Sequence, residues 1–569
     1  LWAHLMHNHK ILNIAQPNTH LQNSFSQELG ISKILAQLLV NRGIYNTEEA
    51  EEFLKANLSH LLDPNSFLDM PRAVDLIKKS AKNKERVMVF GDYDADGLTA
   101  VTLLKTTLSK IGLEPMHYLP HRIKEGYGLT KNILNIAKQK KIKLLITADC
   151  GTSNFEQIRE LRKNNIDVII TDHHEAINNE LPPASAIINP KIITSNYKYR
   201  DLAGVGVAYK LCQAVTGDML FGDLDLVSLG TIADVVPLTG ENRVIVKEGL
   251  LGLSSTKRLG LKALIENSGI KDKKMTSTFV SYIIGPRINA SGRMDTAEIS
   301  LNLLMSEKED EAKKLAQLIE TFNRQRQKIE NKILEEAQDL IDREINFKEH
   351  NVIVIAKEDW HQGVLGIVAS KIADKFHRPT IIISKTGNLC KGSGRSIKNF
   401  HLFQALLECQ EFLETFGGHS HAVGLIISSD RIADFKNGIN RLAKEKLKLE
   451  DLLPSLDIDM ELSLSDLDDE IISGLEALEP FGTGNLEPLF YTRNLRLKGE
   501  PQILGRETVK FWVTDGNITY QAIGFGMASF KDCLESAESF DFVYTPRIDS
   551  WQGEGSILLE AKDIFFKGL

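Results

Sequence analysis

Two hydrophobic periods alternate along the middle of the chain. Short apolar runs at 87–90, 144–147, 168–171 and 186–188 are separated by stretches with helical spacing, among them 98–113 and 155–163. Continuous apolar runs fit strands buried on both faces. Their alternation with amphipathic stretches predicts a parallel sheet covered by helices. A second α/β segment starts at 352–356 and continues through a helix at 366–376 and a strand at 380–384. Between the two, residues 307–345 carry Leu315, Ile319, Phe322, Ile329, Ile333 and Leu340 at helical spacing in a charged background, which predicts one long connecting helix. Residues 20–80 read as mostly helical, from the spacing of Ile34, Leu35, Leu38 and Leu39 and of Phe53, Leu54 and Leu58. From about 455 the pattern becomes short strands with Gly turns, at 489–497, 508–514, 519–526, 540–546 and 556–560, as in a small barrel or sandwich.

Composition narrows the picture a little. The chain has 569 residues, enough for about three to four domains. Charged residues are 25% and hydrophobic residues 42%, which argues against a disordered chain or a coiled-coil rod. Lys+Arg is 68 against 76 Asp+Glu, so the chain is no wholesale basic nucleic-acid binder, although a local basic channel can coexist with acidic sites. The five cysteines are scattered and form no Cys-x-x-Cys, so a zinc ribbon or disulfide scaffold is not expected; a reducing compartment, the cytoplasm, is. No apolar run approaches a membrane span, and residues 1–13 carry no signal-peptide core. Leu1 is an unusual first residue, expected of an alternative start codon or a truncation.

The chemistry lies at the ends of the apolar runs. The first ends in Gly91-Asp92-Tyr93-Asp94-Ala95-Asp96-Gly97, the second in Asp149-Cys150-Gly151, the third in Asp172-His173-His174-Glu175. In an open parallel sheet the carboxyl ends of strands line one crevice, so three strands aim acids and imidazoles at one place. Asp234 closes a further apolar helical stretch, 228–234. Clustered carboxylates need a counter-charge, and carboxylate with imidazole and water suits Mn²⁺ or Mg²⁺. The acids suffice for two ions, and paired ions activate water for in-line displacement at phosphorus. An EF-hand-like calcium loop is the competing reading of Asp-x-Asp-x-Asp-Gly, but positions 103 and 104 are Leu where its glutamate would stand.

These motifs resemble those of the DHH phosphoesterases, and the Asp-Tyr-Asp-Ala-Asp-Gly spelling resembles their RecJ branch, 5′→3′ exonucleases specific for single-stranded DNA. The resemblance extends to Gly285-Pro286-Arg287-Ile288-Asn289-Ala290 with Gly292-Arg293, to 360–364, to Gly392-Ser393-Gly394-Arg395-Ser396, to 417–424 and to 480–485, and so spans roughly 20 to 569. It implies an N-terminal helical segment at 1–80, a DHH catalytic domain at 81–305, a connecting helix at 306–348, a second α/β (DHHA1) domain at 349–454 and an oligonucleotide-binding barrel at 455–569. The implied metal ligands are Asp94, Asp96, Asp149, His173 and Asp234. Asp92 and His174 join them as further ligand or phosphate contact, and Asp172 orients a neighbouring histidine or caps a helix. Many relatives have a histidine two residues before the first Asp; Phe90 stands there and cannot ligate.

Arginine suits phosphate because its planar fork matches the oxygens. The candidates sit in stretches that read as Gly- or Pro-marked loops. The resemblance implies that Arg122, Ser393 and Arg395 hold the 5′-terminal phosphate and that Arg287 and Asn289 lie near the scissile one; Arg293 and Ser396 belong to the same motifs. His419 follows Gly417-Gly418, which reads as a phosphate-approaching backbone or a tight turn between helix and strand. His421, His361 and Tyr127 are weaker candidates. In the barrel, Phe511, Trp512, Tyr520, Phe525 and Trp551 with Lys510, Lys531 and Arg547 offer bases a stacking surface, though alternating aromatics more often form a core. The expected function is single-strand-specific 5′→3′ DNA exonuclease, acting in recombination and repair. The implied partners are single-stranded DNA, a single-strand-binding protein and a RecQ-type helicase. No membrane is implied, and a monomer is expected. Two alternatives stand beside it: a DHH phosphoesterase for short RNA, cyclic dinucleotides or pyrophosphate, against which the extra barrel speaks, and an inactive nucleic-acid scaffold, against which the intact acids speak.

Overall fold

The computed structural model describes residues 10–176, 180–548 and 556–568. Leu1 and Trp551 lie outside the described residues. The chain forms two compact units. One comprises Leu61–Val236 with Glu241–Leu453, the other Leu1–His60, Pro237–Gly240 and Pro454–Leu569.

The larger unit holds two sheets. The first has five parallel strands in the order Met116–Tyr118, Val87–Gly91, Leu144–Ala148, Asp167–Thr171 and Ala186–Ile188. Its central strands are buried along their whole length, which is why they read as unbroken apolar runs. Helix Ala95–Lys110 is buried along most of one side and all of its first turn. Phe90 is fully buried and stacks on Tyr118 with ring centroids 5.4 Å apart, a packing residue at the end of its strand. The second sheet runs Thr415–Gly418, Ala422–Ser428, Leu389–Arg395, Thr380–Lys385, Ile353–Glu358, parallel only between the last two.

The predicted long helix is Glu309–Glu344, 36 residues or about 54 Å. Of the expected positions, its buried stripe keeps Ile319 and Ile333 but not Leu315, Phe322, Ile329 or Leu340. It runs through Ala312, Ala316, Ile319, Asn323, Arg326, Glu330, Ile333, Ala337 and Ile341. The middle of that stripe is polar, and most of its groups are paired. Arg326 donates to Glu330 at 2.7 Å and to Asn323 at 2.8 Å, and Lys371 pairs with Glu330 at 2.6 Å.

In the smaller unit, Phe490–Leu497 pairs with both Ser539–Ile548 and Thr508–Thr514. With Thr519–Gly524 and Ile557–Lys567 the five strands close on themselves as a barrel. The last strand is longer than the apolar pattern shows. A bulge at Val543/Tyr544 shifts the register and turns Asp563 inward, where Lys10 pairs with it at 2.6 Å. The N-terminal helices Thr19–Leu29, Lys33–Asn41 and Thr47–Lys55 are part of this unit: Phe25, Leu35, Leu38 and Leu39 share one core with Phe490, Phe511 and Phe542. Helix Met70–Asn83 belongs instead to the larger unit, where Asp69 at its start accepts from the backbone N–H of Ile187 at 2.9 Å.

Candidate metal centre and phosphate cleft

The acids gather where the parallel sheet changes direction. From Val87–Gly91 the chain adds Met116–Tyr118 on one side, then returns to add Leu144–Ala148 on the other. Such a reversal leaves a crevice at the carboxyl ends of the two central strands. Asp92 and Asp94 follow one of them, Asp149 the other, and His173 and His174 follow Asp167–Thr171. Asp94 caps helix Ala95–Lys110, accepting from Gly97 N–H at 3.1 Å. Asp96 accepts from Gly204 and Val205 N–H, at 2.7 and 2.8 Å, at the start of helix Gly204–Thr216. A Cβ on Gly204 would stand 2.5 Å from Asp149 Oδ1, so glycine is what lets that helix start come so near. Asp234 ends helix Leu224–Ala233, and Val235 takes the left-handed conformation (φ 63°) where glycine is usual.

His173 Nε2 lies 3.2 Å from Asp149 Oδ1, 3.5 Å from Asp234 Oδ2 and 4.0 Å from Asp96 Oδ2. Three groups have donor atoms within 4.8 Å of one another: Asp92, Asp94 and Asp149; Asp149, His173 and His174; and Asp96, His173 and Asp234. They interlock through Asp149 and His173. Among the described residues, Asp92 Oδ1, Asp149 Oδ1 and His173 Nδ1 are buried without a hydrogen-bond partner.

The electrostatics follow from burial. Burial and the neighbouring Asp94 hold Asp92 well above the ordinary carboxylate range and push Asp96 up to about 7. Asp149 and Asp234 are raised by burial and by Asp96. Burial keeps the His173 imidazole neutral, holding it well below its usual range. His174 behaves differently. Burial opposes its charge, but the Asp172 carboxylate and its 2.7 Å hydrogen bond to Nδ1 outweigh it and push the ring up to about 9. Asp172 itself accepts from the backbone N–H groups of Thr152, His173 and His174, so it orients the histidines and is not a member of the three groups.

The second α/β region faces the crevice across a cleft of about 690 Å³, lined by Arg122, Lys124, Tyr127, Lys391, Ser393 and Gly417 among others. The Arg122 guanidinium lies 4.8 Å over the Tyr93 ring. A Cβ on Gly366, in the first turn of helix Leu365–Phe376, would come within 3.0 Å of the Arg395 guanidinium and 3.1 Å of Ser393 Oγ. Arg293 is lowered well below the ordinary guanidinium range by burial and by Arg122, Arg326 and Arg395. It donates to the carbonyl of Gly363 at 3.0 Å. His419 stacks on His174, centroids 5.7 Å apart. His361 accepts from Gly363 N–H at 3.2 Å and so shapes the loop that Arg293 grips.

Several expected positions are already engaged by the protein. The motif at 285–293 is a helix, Gly285–Met294, not a loop; it continues the helical turns that begin at Ser277, and the wider π-helical turn Val280–Ile284 lies just before Pro286. Arg395 ends a strand, Leu389–Arg395. Arg287 is tied to Glu320 at 2.8 Å, and Asn289 accepts from the Ala95 N–H at 2.8 Å, bracing the acidic loop from behind. Ser396 has left the strand and donates to the carbonyl of Phe400 at 2.6 Å. Gly417-Gly418 is in a β-hairpin rather than between helix and strand; His419 N–H bonds to Ala422 across its turn. Tyr127 is closer to the centre than its sequence signal suggests. Its hydroxyl donates to the Asp149 carbonyl at 3.2 Å and lies 3.0 Å from His174 Nδ1. In the barrel, Phe511 is core and Tyr520 donates to the Leu467 carbonyl, whereas Trp512 and Phe525 are exposed. Arg547 pairs with Glu487 and Glu560, and Lys531 with Glu535.

Sequence profiles of three families match the chain: the N-terminal domain of the DHH family over 86–231, the DHHA1 domain over 349–445 and the RecJ OB domain over 458–563. The single-stranded-DNA-specific exonuclease RecJ of Bacillus subtilis (strain 168) is 36% identical over 553 residues, 97% of this chain and 70% of that protein. The crystal structure of RecJ from Thermus thermophilus in complex with Mn²⁺ superposes with a TM-score of 0.85 at 26% identity, covering 98% of this chain and 80% of that one. A crystal structure of exonuclease RecJ bound to manganese has a TM-score of 0.59 at 32% identity, covering 68% and 98%. On this similarity along nearly its whole length, the chain belongs to the RecJ family of DHH phosphoesterases.

Proposed function

We propose that the chain is a single-strand-specific DNA exonuclease that degrades from the 5′ end to mononucleotides, using two divalent cations, Mn²⁺ or Mg²⁺. The observation that carries this reading is the set of three interlocking ligand groups at the sheet reversal, facing a cleft lined with cations. The donors fit the ions: carboxylates and neutral imidazole, buried, with two carboxylate oxygens lacking a partner among the described residues. The ligands would be Asp92, Asp94, Asp96, Asp149, His173 and Asp234. When bound, the cations supply Lewis acidity for water attack at phosphorus and offset the charge of the phosphate.

The chain's own residues do the rest. Gly204 and Val205 N–H fix Asp96, and Asn289 fixes the start of the helix behind Asp94. Asp172 and Tyr127 hold His174 by one ring nitrogen. As an imidazolium at neutral pH, it offers an N–H to a phosphoryl oxygen. Arg122, Ser393 and Arg395 hold the 5′-terminal phosphate, with the first turn of helix Leu365–Phe376 beside them. Arg293 adds positive potential from beneath, and His419 adds its ring beside His174. Of the aromatics expected to face bases in the barrel, Trp512 and Phe525 are the exposed ones among the described residues, and they stack on bases.

The cellular setting follows from the same reading: recombination and repair in the cytoplasm, acting as a monomer on single strands exposed by a RecQ-type helicase and coated by single-strand-binding protein. Five free cysteines agree with a reducing compartment. No helix among the described residues is long and apolar enough to cross a membrane. The test is a timed digest of a single-stranded oligonucleotide labelled at the 5′ or the 3′ end. Early release of 5′-labelled mononucleotide with Mn²⁺ or Mg²⁺, lost in chelator, is expected. Early release of the 3′ label, or turnover only of short RNA or pyrophosphate, would refute the reading.

A further inference from the structure

We propose that Lys391 is a further phosphate-binding residue of the cleft, gripping a DNA phosphate next to the terminal one. The inference rests on the reading of the cleft as the seat of the 5′ end. Strand Leu389–Arg395 alternates strictly: Cys390, Gly392 and Gly394 are buried in their lobe, while Lys391, Ser393 and Arg395 share the opposite face. Ser396, the other polar residue of the motif, lies beyond the strand and bonds to Phe400. The third cleft-facing position is therefore Lys391, which sequence spacing does not single out.

Its surroundings suit an anion. Lys391 Nζ donates to the carbonyl of Ile123 at 3.0 Å, one residue from Arg122. No carboxylate of the described residues pairs with it, although an ammonium has three N–H groups to give. Among the described residues the one acid lining the cleft, Glu125, is occupied by the Tyr118 hydroxyl and the His121 N–H, both at 2.7 Å. On one side Ser393 is flanked by Ile382, but on the other the sheet carries no side chains. Gly424 is its cross-strand neighbour and Gly417 the next, and a Cβ on either would meet nothing within 4 Å. This bare backbone floor crosses the strands beside Ser393 and leaves room for a sugar-phosphate chain next to it. Lys391 and Ser393 are two residues apart, about 7 Å along their strand, so their contacts fall on different phosphates.

The role is separable from that of a tether to Ile123 by its salt dependence. Each phosphate neutralised on a single strand adds about 0.7 to the slope of log affinity against log salt. Binding of a 5′-phosphorylated oligonucleotide would be measured across salt concentrations with the full chain carrying Asp149→Asn to block turnover. Added to that background, Lys391→Gln should weaken binding about fivefold and reduce the slope by about 0.7, with an unchanged melting temperature, while Lys391→Arg keeps the slope. An unchanged slope with Lys391→Gln, whether or not affinity falls, would overturn the proposal and leave Lys391 a tether. Arg122→Gln and Arg395→Gln serve as controls. If they too leave binding unchanged, the reading of the cleft fails, and Lys391 falls with it.

Discussion

The acidic crevice and the cationic face opposite it are built by opposite means. The crevice concentrates five aspartates and two histidines from strand ends of one sheet and one helix end, and leaves three of their buried polar atoms without partners among the described residues. The cationic face draws Arg122, Arg293, Lys391 and Arg395 from distant segments. Some residues of the same motifs also bond within the fold: Arg287 to Glu320, Asn289 to Ala95, Ser396 to Phe400. A buried carboxylate cluster is unstable until a cation arrives, so its composition already announces a ligand. An arginine or asparagine finds hydrogen-bond partners within the protein, so the sequence does not by itself separate a phosphate contact from a brace.

The sharpest break of the comparison is on the acidic side. Asp149→Asn should lower turnover by about a thousandfold or more, because it removes a ligand common to two groups. Its melting temperature without metal should not fall, since the amide imitates the protonated acid that burial favours. A large drop in melting temperature would mean that Asp149 is structural.

The contrast between spent and free side chains recurs in the barrel and is tested by neighbours on one strand. Phe511→Ala, in the core, should cost about 3–5 kcal/mol of stability. Trp512→Ala should leave the unfolding midpoint in place and weaken single-strand binding about tenfold, as expected for one stacked base. On the cationic side, Arg395→Gln should raise KM about tenfold with little change in kcat, whereas a fall in kcat alone would place Arg395 at the reacting phosphate.

The pH dependence of the metal-free protein tests the crowding of the acids. Asp96 is raised to about 7, so the folded state holds a proton that the unfolded state releases near pH 4. The stability it contributes is full below about pH 4 and is lost as pH rises through about 7. Asp92, Asp149 and Asp234 act in the same direction, and His173, held below its usual range, opposes them only below its ordinary value near 6.5. Chemical denaturation in chelator should show that decline, and Mn²⁺ should remove it. A metal-free stability that rises over the same interval would contradict the crowding of the acids.

Legibility in the sequence divides along the same line. Asp92, Asp94, Asp96, Asp149 and the two histidines can be read because each sits just past an apolar run, and strand ends of a parallel sheet converge whatever the loops do. Asp172 reads as an orienting residue from its place beside two histidines, and its hydrogen bonds to Thr152, His173 and His174 have that form. Tyr127 and Lys391 are hard to see. Tyr127 reaches His174 only through the fold of its loop, and Lys391 needs the strand's phase, which one polar-glycine motif does not give. The buried stripe of the long helix departs from the leucine spacing for a related reason. Its polar centre, Asn323, Arg326 and Glu330, is paired within the helix and with Lys371 and so is buried beside the expected Phe322 and Ile329.

Asp149 belongs to two of the donor groups, so the crevice would hold two cations and would hold both less tightly without it. Calorimetric titration of the chelator-treated protein with Mn²⁺ tests it most directly. Two ions per chain are predicted, with Asp149→Asn weakening the binding of both. No saturable binding, or an Asp149→Asn protein that binds two ions as the unaltered chain does, would contradict it.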